Sequence, residues 1–277
     1  MTANTRKLGI VAGSGEMPLR IVRACERAAR PYFVVAVDEF AGEIGKATPH
    51  ARVRISKIGA AIAALKRNAC KDVVFAGKLQ RPDGGRVKLR PDWGGLVFLV
   101  TNWGVLRGHD DGIHRAIANM LARHGLRIVS PLEAAPELAA KPGCLTGTQP
   151  NDALRASFPR ALRLAKEHGA TKQGQAVVVR DGAILASEGR AGTDAMLAAL
   201  GKEVGAGAIL AKAMAPNQLP TIDPPAIGES TIRHAAAAGL AGIVVEAGRS
   251  VIVDEESVRA RADDAGLFVC AASTDAP

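Results

Sequence analysis

Four carboxylates in the second half of the chain, Glu188, Asp194, Asp223 and Glu246, fall at or near the ends of expected elements and among many apolar neighbours. A carboxylate in such surroundings must be solvated, paired or bound to a cation, because burying it bare is very costly. Oxygen donors of this kind suit Mg²⁺ or Mn²⁺. Asp223 stands out, since it lies inside Gln218-Leu-Pro-Thr-Ile-Asp-Pro-Pro-Ala-Ile-Gly228, a segment stiffened by prolines. Asp194 also suits an ordinary helix cap, and Glu246 a strand-end salt bridge.

The first half offers anion chemistry. Gly13-Ser14-Gly15 follows a short apolar run and precedes a helical pattern, so its backbone N–H groups suit a phosphate at a helix N-terminus. The third glycine of a dinucleotide fingerprint is replaced by Pro18, yet Asp38 closes the next strand, where a ribose-binding acid often lies. A nicotinamide-dependent oxidoreductase is therefore one reading; a tight turn without ligand is another. Gly77-Lys78-Leu-Gln80-Arg81-Pro82 follows a buried strand, and ligands of open parallel sheets collect at the carboxyl ends of strands. Lys78, Gln80 and Arg81 are there either to meet an anionic group or to form a solvated loop. His109-Asp110-Asp111 with His114 resembles a metal-ligand set, but adjacent helical residues do not share a face, and capping explains at least one of these acids.

The elements that must position these residues alternate. Strands are expected at 7–12, 33–37, 72–76 and 126–130, and helices at 16–30, 58–67 and 110–124, the rhythm of a parallel sheet covered on both faces. Residues 91–106 hold Trp93 and Trp103 around Leu96-Val-Phe-Leu-Val100, which reads first as core packing and second as part of an acyl-chain groove. Proline and glycine crowd 131–151 and mark a linker. Beyond it come a helix over 152–168, strands at 175–179 and 183–187 joined by Asp181-Gly182, a helix from Thr193 to Leu200, a helix near Ser230, strands at 242–246 and 249–253, a helix at 255–265 and a strand at 267–270. The expected organisation is an N-terminal Rossmann-like domain (1–132), a linker (133–151) and a C-terminal catalytic α/β domain with a mixed sheet (152–277).

Composition narrows the partners. The chain has 277 residues, 36 basic against 27 acidic, and 3% aromatic residues. The basic residues read as scattered, without the aromatic interleaving that stacks bases, which argues against nucleic acid and leaves phosphate substrates or membrane headgroups. Cys25, Cys70, Cys144 and Cys270 lie far apart in sequence and form no CxxC pair, so neither a zinc cage nor a disulfide framework is expected. The N-terminus reads without a signal peptide, and no run reaches the roughly 20 apolar residues of a membrane helix. A soluble protein able to work at a membrane surface is expected.

Taken in order along nearly the whole chain, these segments resemble the LpxI-type UDP-2,3-diacylglucosamine pyrophosphatases. In the first half the resemblance rests on Leu8-Gly-Ile-Val-Ala-Gly-Ser-Gly15 with Pro18, on Gly77 to Pro82, and on Gly108-His-Asp-Asp111. In the second it rests on Gly174 to Val179, Glu188 with Gly192-Thr-Asp-Ala-Met196, Pro216-Asn-Gln218 with Asp223 to Gly228, Ala238 to Gly248, and Ala262 to Phe268. The resemblance implies two domains with the lipid substrate between them, a homodimer, and Mg²⁺-dependent cleavage to a lipid monophosphate and UMP on the pathway to lipid A. It implies a cytoplasmic protein, peripheral at the inner membrane, and matches the family's catalytic aspartate to Asp223. Asp194 and Glu188 are then candidate co-ligands of the metal, and Gly13, Ser14, Gly15, Lys78, Gln80, Thr193 and Gln218 candidate substrate contacts. Where the family has an Asp and an Arg just before the catalytic aspartate, this chain has Leu219 and Thr221. A non-catalytic lipid- or nucleotide-binding protein is the remaining alternative.

Overall fold

The computed structural model describes residues 6–42, 44–45, 47–77, 90–101, 110–216 and 224–274, with backbone alone for 110–115. The chain divides into two compact units, Met1–Glu137 and Leu138–Pro277.

The first unit is built on β1 (Leu8–Ala12), α1 (Met17–Arg27), β2 (Tyr32–Val37), β3 (His50–Val53), α2 (Ile58–Arg67), β4 (Asp72–Ala76), α3 (Trp93–Thr101), α4 (Asp110–Arg123), β5 (Arg127–Ile128) and α5 (Pro131–Ala134). Its sheet has the order β3-β2-β1-β4-β5, and every pairing is parallel. The central strands are nearly unbroken apolar runs, as strands covered on both faces must be. Pro18, Ile21, Val22 and Cys25 form the buried stripe of α1, and Pro18 sits in its first turn, where no N–H partner is lost. β3 was not expected, because its His-Ala-Arg-Val run is a partly exposed edge strand with no apolar signature.

Asp72 opens β4 with no solvent exposure. It accepts from Arg30 Nη2 at 2.9 Å and Arg127 Nε at 3.0 Å, and Arg6 lies 3.8 Å away. One buried carboxylate thus gathers cations from the starts of three strands.

The expectation of a packed Trp93 fails. α3 buries only Gly95 and Phe98, while Trp93 is 79% and Val100 70% exposed. What fixes this helix is Asp92, whose Oδ1 accepts from Gly59 N (3.1 Å) and Gly95 N (2.8 Å) and whose Oδ2 accepts from Ala60 N (2.7 Å). Burial pushes the Asp92 pKa up, but those three amides and Lys57 outweigh it and hold the carboxyl below its ordinary value. A depressed folded pKa contributes stability that is complete above the unfolded pKa and is lost as pH falls through the folded one. Wild type should therefore be more stable than Asp92→Asn at pH 7, and the gap should close as an acid titration descends below pH ~4. Chemical denaturation across that range checks this.

The second unit comprises β6 (Gly143–Cys144), α6 (Asp152–Ala170), β7 (Ala176–Arg180), β8 (Ala183–Ser187), α7 (Thr193–Ala199), α8 (Lys202–Gly205), β9 (Ile209–Lys212), β10 (Ala226–Ile227), α9 (Glu229–Ala237), β11 (Gly242–Glu246), β12 (Val251–Ile252), α10 (Glu255–Asp264) and β13 (Phe268–Ala272). Its main sheet has the order β6-β13-β11-β9-β7-β8. The three central strands are parallel; β6 joins one side antiparallel, β7 and β8 the other. Strand residues alternate between two cores. Val177, Ile209 and Val244 pack with Phe158, Leu162 and Ala165 of α6, whereas Val178, Leu210 and Ile243 pack with Leu197, Ile232 and Val258 of α7, α9 and α10. The expected hairpin turn is present, with positive φ at both Asp181 and Gly182.

Short elements lie within the stretch read as a linker. Ser130 caps α5 by accepting from Glu133 N, Pro131 occupies the first turn, Pro136–Leu138 form a 3-10 turn, and β6 pairs with β13. Pro131 and Pro136 stand at element starts, where a donor is dispensable.

The cysteines depart from the expectation of no disulfide. Cys144 and Cys270 are directly opposed across the β6–β13 pair and are disulfide-bonded. Strands remote in sequence bring them together, which spacing could not disclose. Cys25 and Cys70 are free and buried, and burial pushes the Cys25 thiol up to about 11. Native protein should therefore resist alkylation at pH 8. Unfolded without reductant it should titrate two thiols, and after reduction four.

Candidate active site

The strand order of the first sheet reverses between β1 and β4, so the carboxyl ends of these two strands flank a topological switch point, where open α/β sheets bind ligands. Gly13-Ser14-Gly15 leaves β1 there. Gly13 N donates to Ala76 O at 2.8 Å, and Gly15 takes φ +91° with open space beside it. Gly77 leaves β4 at φ +83°, and a Cβ on it would collide with the Ser14 carbonyl oxygen. Gly77 is thus required for the two turns to touch, and Gly15 for the left-handed bend of the first turn. Glu16, at the N-cap of α1, makes no side-chain cap hydrogen bond, and first-turn amides without such a cap are the donors an anion cradle uses. Lys78, Gln80 and Arg81 follow Gly77 but lie outside the described residues, as does His109. Asp110 and Asp111 open α4. Asp38 stands 3.5 Å from Arg52 of β3, an ion pair that competes with a ribose hydroxyl for that carboxylate.

In the second unit polar groups collect at the carboxyl end of the parallel strands. Lys212 ends β9 and is 6% exposed. Its Nζ donates to Thr193 Oγ1 at 2.9 Å, and that hydroxyl donates to Glu188 Oε1 at 2.7 Å. Glu188 Oε2 accepts from Gln175 N at 2.7 Å, and the Glu188 carbonyl oxygen accepts from His168 Nε2, also at 2.7 Å. All three members of the Lys212–Thr193–Glu188 chain are buried. Thr193 has its single proton committed to Glu188, so it orders this cluster whatever else it meets. Asp194, next in sequence, turns elsewhere and accepts from Ser230 Oγ at 2.8 Å and Thr231 Oγ1 at 3.4 Å on α9. Glu246 ends β11, pairs with Lys166 at 2.7 Å and accepts from Met214 N at 3.0 Å.

Asp223 and Gln218 lie outside the described residues, but the flanks of their segment are fixed at this same sheet end. Ala213 N donates to Gln175 O, beside the Lys212 cluster. On the far side, Val251 N donates to Pro225 O at 2.7 Å, and β10 pairs with β12. Among the described residues no three His, Cys, Asp or Glu side chains converge to hold a metal ion. Lys212 and Lys166 were not among the expected site residues. The available signal was a lysine between Ala211 and Ala213 in an otherwise apolar strand, a residue that does not stay buried without a partner.

A glycine turn at the switch point of one parallel sheet and a buried carboxylate–ammonium cluster at the carboxyl ends of a second sheet define a two-domain α/β protein. Residues 7–138 match the model of the LpxI N-terminal domain, and residues 141–270 that of the LpxI C-terminal domain. The chain is 39% identical over 272 residues to the UDP-2,3-diacylglucosamine pyrophosphatase LpxI of Caulobacter vibrioides, covering 95% of this chain and 96% of that protein. It belongs to the LpxI family.

Proposed function

We propose that this protein hydrolyses the diphosphate of UDP-2,3-diacylglucosamine, releasing 2,3-diacylglucosamine 1-phosphate and UMP in lipid A synthesis. The observation that carries this is the 39% identity to the Caulobacter pyrophosphatase, continuous across both domains. The reaction needs a positioned water and neutralised charge on the phosphoryl oxygens. Asp223 accepts a hydrogen bond from that water and orients it. The amides of Gly13 to Gly15, with Lys78 and Gln80, receive phosphate or nucleotide, and Gln218 and Thr193 serve the substrate beside Asp223.

The carboxylate oxygens of Asp223, Asp194 and Glu188 have the chemistry of Mg²⁺ or Mn²⁺ ligands. Asp194 and Glu188 each retain acceptor capacity beyond the hydrogen bonds they make. A bound cation supplies Lewis acidity and a more acidic water. Lys212 acts from behind, holding Thr193 and through it Glu188. The enzyme works as a homodimer on the cytoplasmic face of the inner membrane, where its acylated substrate resides.

The metal part has its own test. Chelation with EDTA should abolish turnover and Mg²⁺ should restore it, with substrate binding followed by calorimetry in parallel. Full turnover in chelator would remove the metal from the mechanism. Tight NAD(P) binding without hydrolysis would favour the oxidoreductase reading, against which the Asp38–Arg52 pair already argues.

A further inference from the structure

Among the described residues eight large apolar side chains are exposed, and five of them belong to one neighbourhood: Ile55, Trp93, Leu96, Val97 and Val100. Four lie on α3, which carries no charged residue along its length. Ile55 joins them because the 54–57 segment abuts the start of α3: Ser56 Oγ lies 3.4 Å from Arg90 O, and a Cβ on Gly95 would strike the Ser56 carbonyl oxygen. Gly94 packs as tightly on the Gly59 backbone. With Asp92 bonded to both helix starts, α3 is a clamped element presenting an apolar outer face, not a frayed one. Scattered exposed apolar residues need no explanation, but a clamped contiguous patch does.

The charge around the patch identifies the occupant. The described stretches 51–77 and 90–101 hold seven Lys and Arg against two Asp. Both acids are already engaged, Asp72 in its arginine cluster and Asp92 in the helix caps. Arg54 and Arg90 are exposed and Lys57 half-buried beside the patch, and the neighbouring Glu39 is turned onto the Ile55 amide. An apolar face bearing a tryptophan and rimmed by cations has the chemistry of a bilayer interface with anionic headgroups.

We propose that α3, with Ile55, Arg54, Lys57 and Arg90, is the face by which this protein seats itself on an anionic lipid bilayer. This rests on the reading that the enzyme takes a membrane-borne lipid substrate, and it says which surface meets that membrane.

The test is flotation of the full chain with phosphatidylcholine vesicles containing about one-third phosphatidylglycerol, against phosphatidylcholine alone. Wild type should float with the anionic vesicles and be released by salt. Trp93→Ser with Val100→Ser should weaken that partitioning at least about tenfold, and Lys57→Glu with Arg90→Glu should remove the preference for anionic lipid. Unchanged melting and unchanged turnover on detergent-dispersed substrate in the first variant would show that only docking was lost. Equal flotation of variant and wild type overturns the proposal. So does a variant that floats normally but turns from dimer to monomer, which makes the face a self-association surface, or one that floats normally but loses turnover in detergent, which makes it an acyl-chain groove. Wild type that hydrolyses substrate in detergent yet never floats defeats the docking face alone; wild type that floats but never hydrolyses defeats the pyrophosphatase reading alone.

Discussion

Asp223→Asn should lower kcat on the order of a thousandfold while substrate affinity stays within about threefold. The amide keeps the size of the carboxylate but accepts poorly from a water that must lose a proton, and it is a weaker ligand for a hard cation. A loss confined to kcat would mean that the group acts in the transition state and not in holding the substrate. The flanks of its segment, Ala213 beside the Lys212 cluster and Pro225 bonded by Val251, are anchored independently of residue 223, so the variant should fold. Near-normal kcat would remove Asp223 from the chemistry. A parallel loss in affinity would make it a binding residue. Lys212→Met separates a supporting role from a direct one: if the lysine only orders Thr193 and Glu188, kcat should fall less than in Asp223→Asn.

The second large effect is on stability and belongs to the first unit. Asp72→Ala should cost about 3–5 kcal/mol, because it leaves the buried Arg30 guanidinium without its anion. For a unit of this size that corresponds to roughly 10–20 °C in the melting temperature of its transition. Arg127→Ala, which removes the half-exposed arm of the same cluster, should cost no more than about 1 kcal/mol. Calorimetry of the two variants checks both. Equal losses would mean that the buried Arg30 contact does not dominate the cluster.

Much of the fold was legible because periodicity reports burial. The apolar runs of β1, β2 and β4 and the 18-21-22-25 stripe of α1 required a covered parallel sheet, and the two sheets are as expected. The central strand β9 was not expected although its apolar run is local, while the other strands that escaped were decided by partners remote in sequence. His50-Ala-Arg-Val53 is a strand because β2 offers it an edge, Gly143–Cys144 because β13 does, and the Cys144–Cys270 bond exists only through that pairing. Trp93 misled for the opposite reason. Its type signals a core, but Asp92 and the glycines at 59, 94 and 95 turn the helix so that Phe98 goes in and Trp93 goes out.

The site divides in the same way. The Gly13 turn could be read because strand, glycine and helix are consecutive. The Lys212–Thr193–Glu188 chain could not, since it joins β9, α7 and the residue following β8. Asp223 was singled out by its proline-rich segment and by resemblance, and it still carries the chemical proposal.

Product analysis tests the hydrolysis most directly. Purified protein is incubated with UDP-2,3-diacylglucosamine, with and without Mg²⁺, and the products are identified by mass spectrometry. UMP and 2,3-diacylglucosamine 1-phosphate, formed only with the metal, are the predicted result. Substrate that binds and is recovered intact under every divalent metal tried would contradict it and leave a lipid- or nucleotide-binding protein in its place.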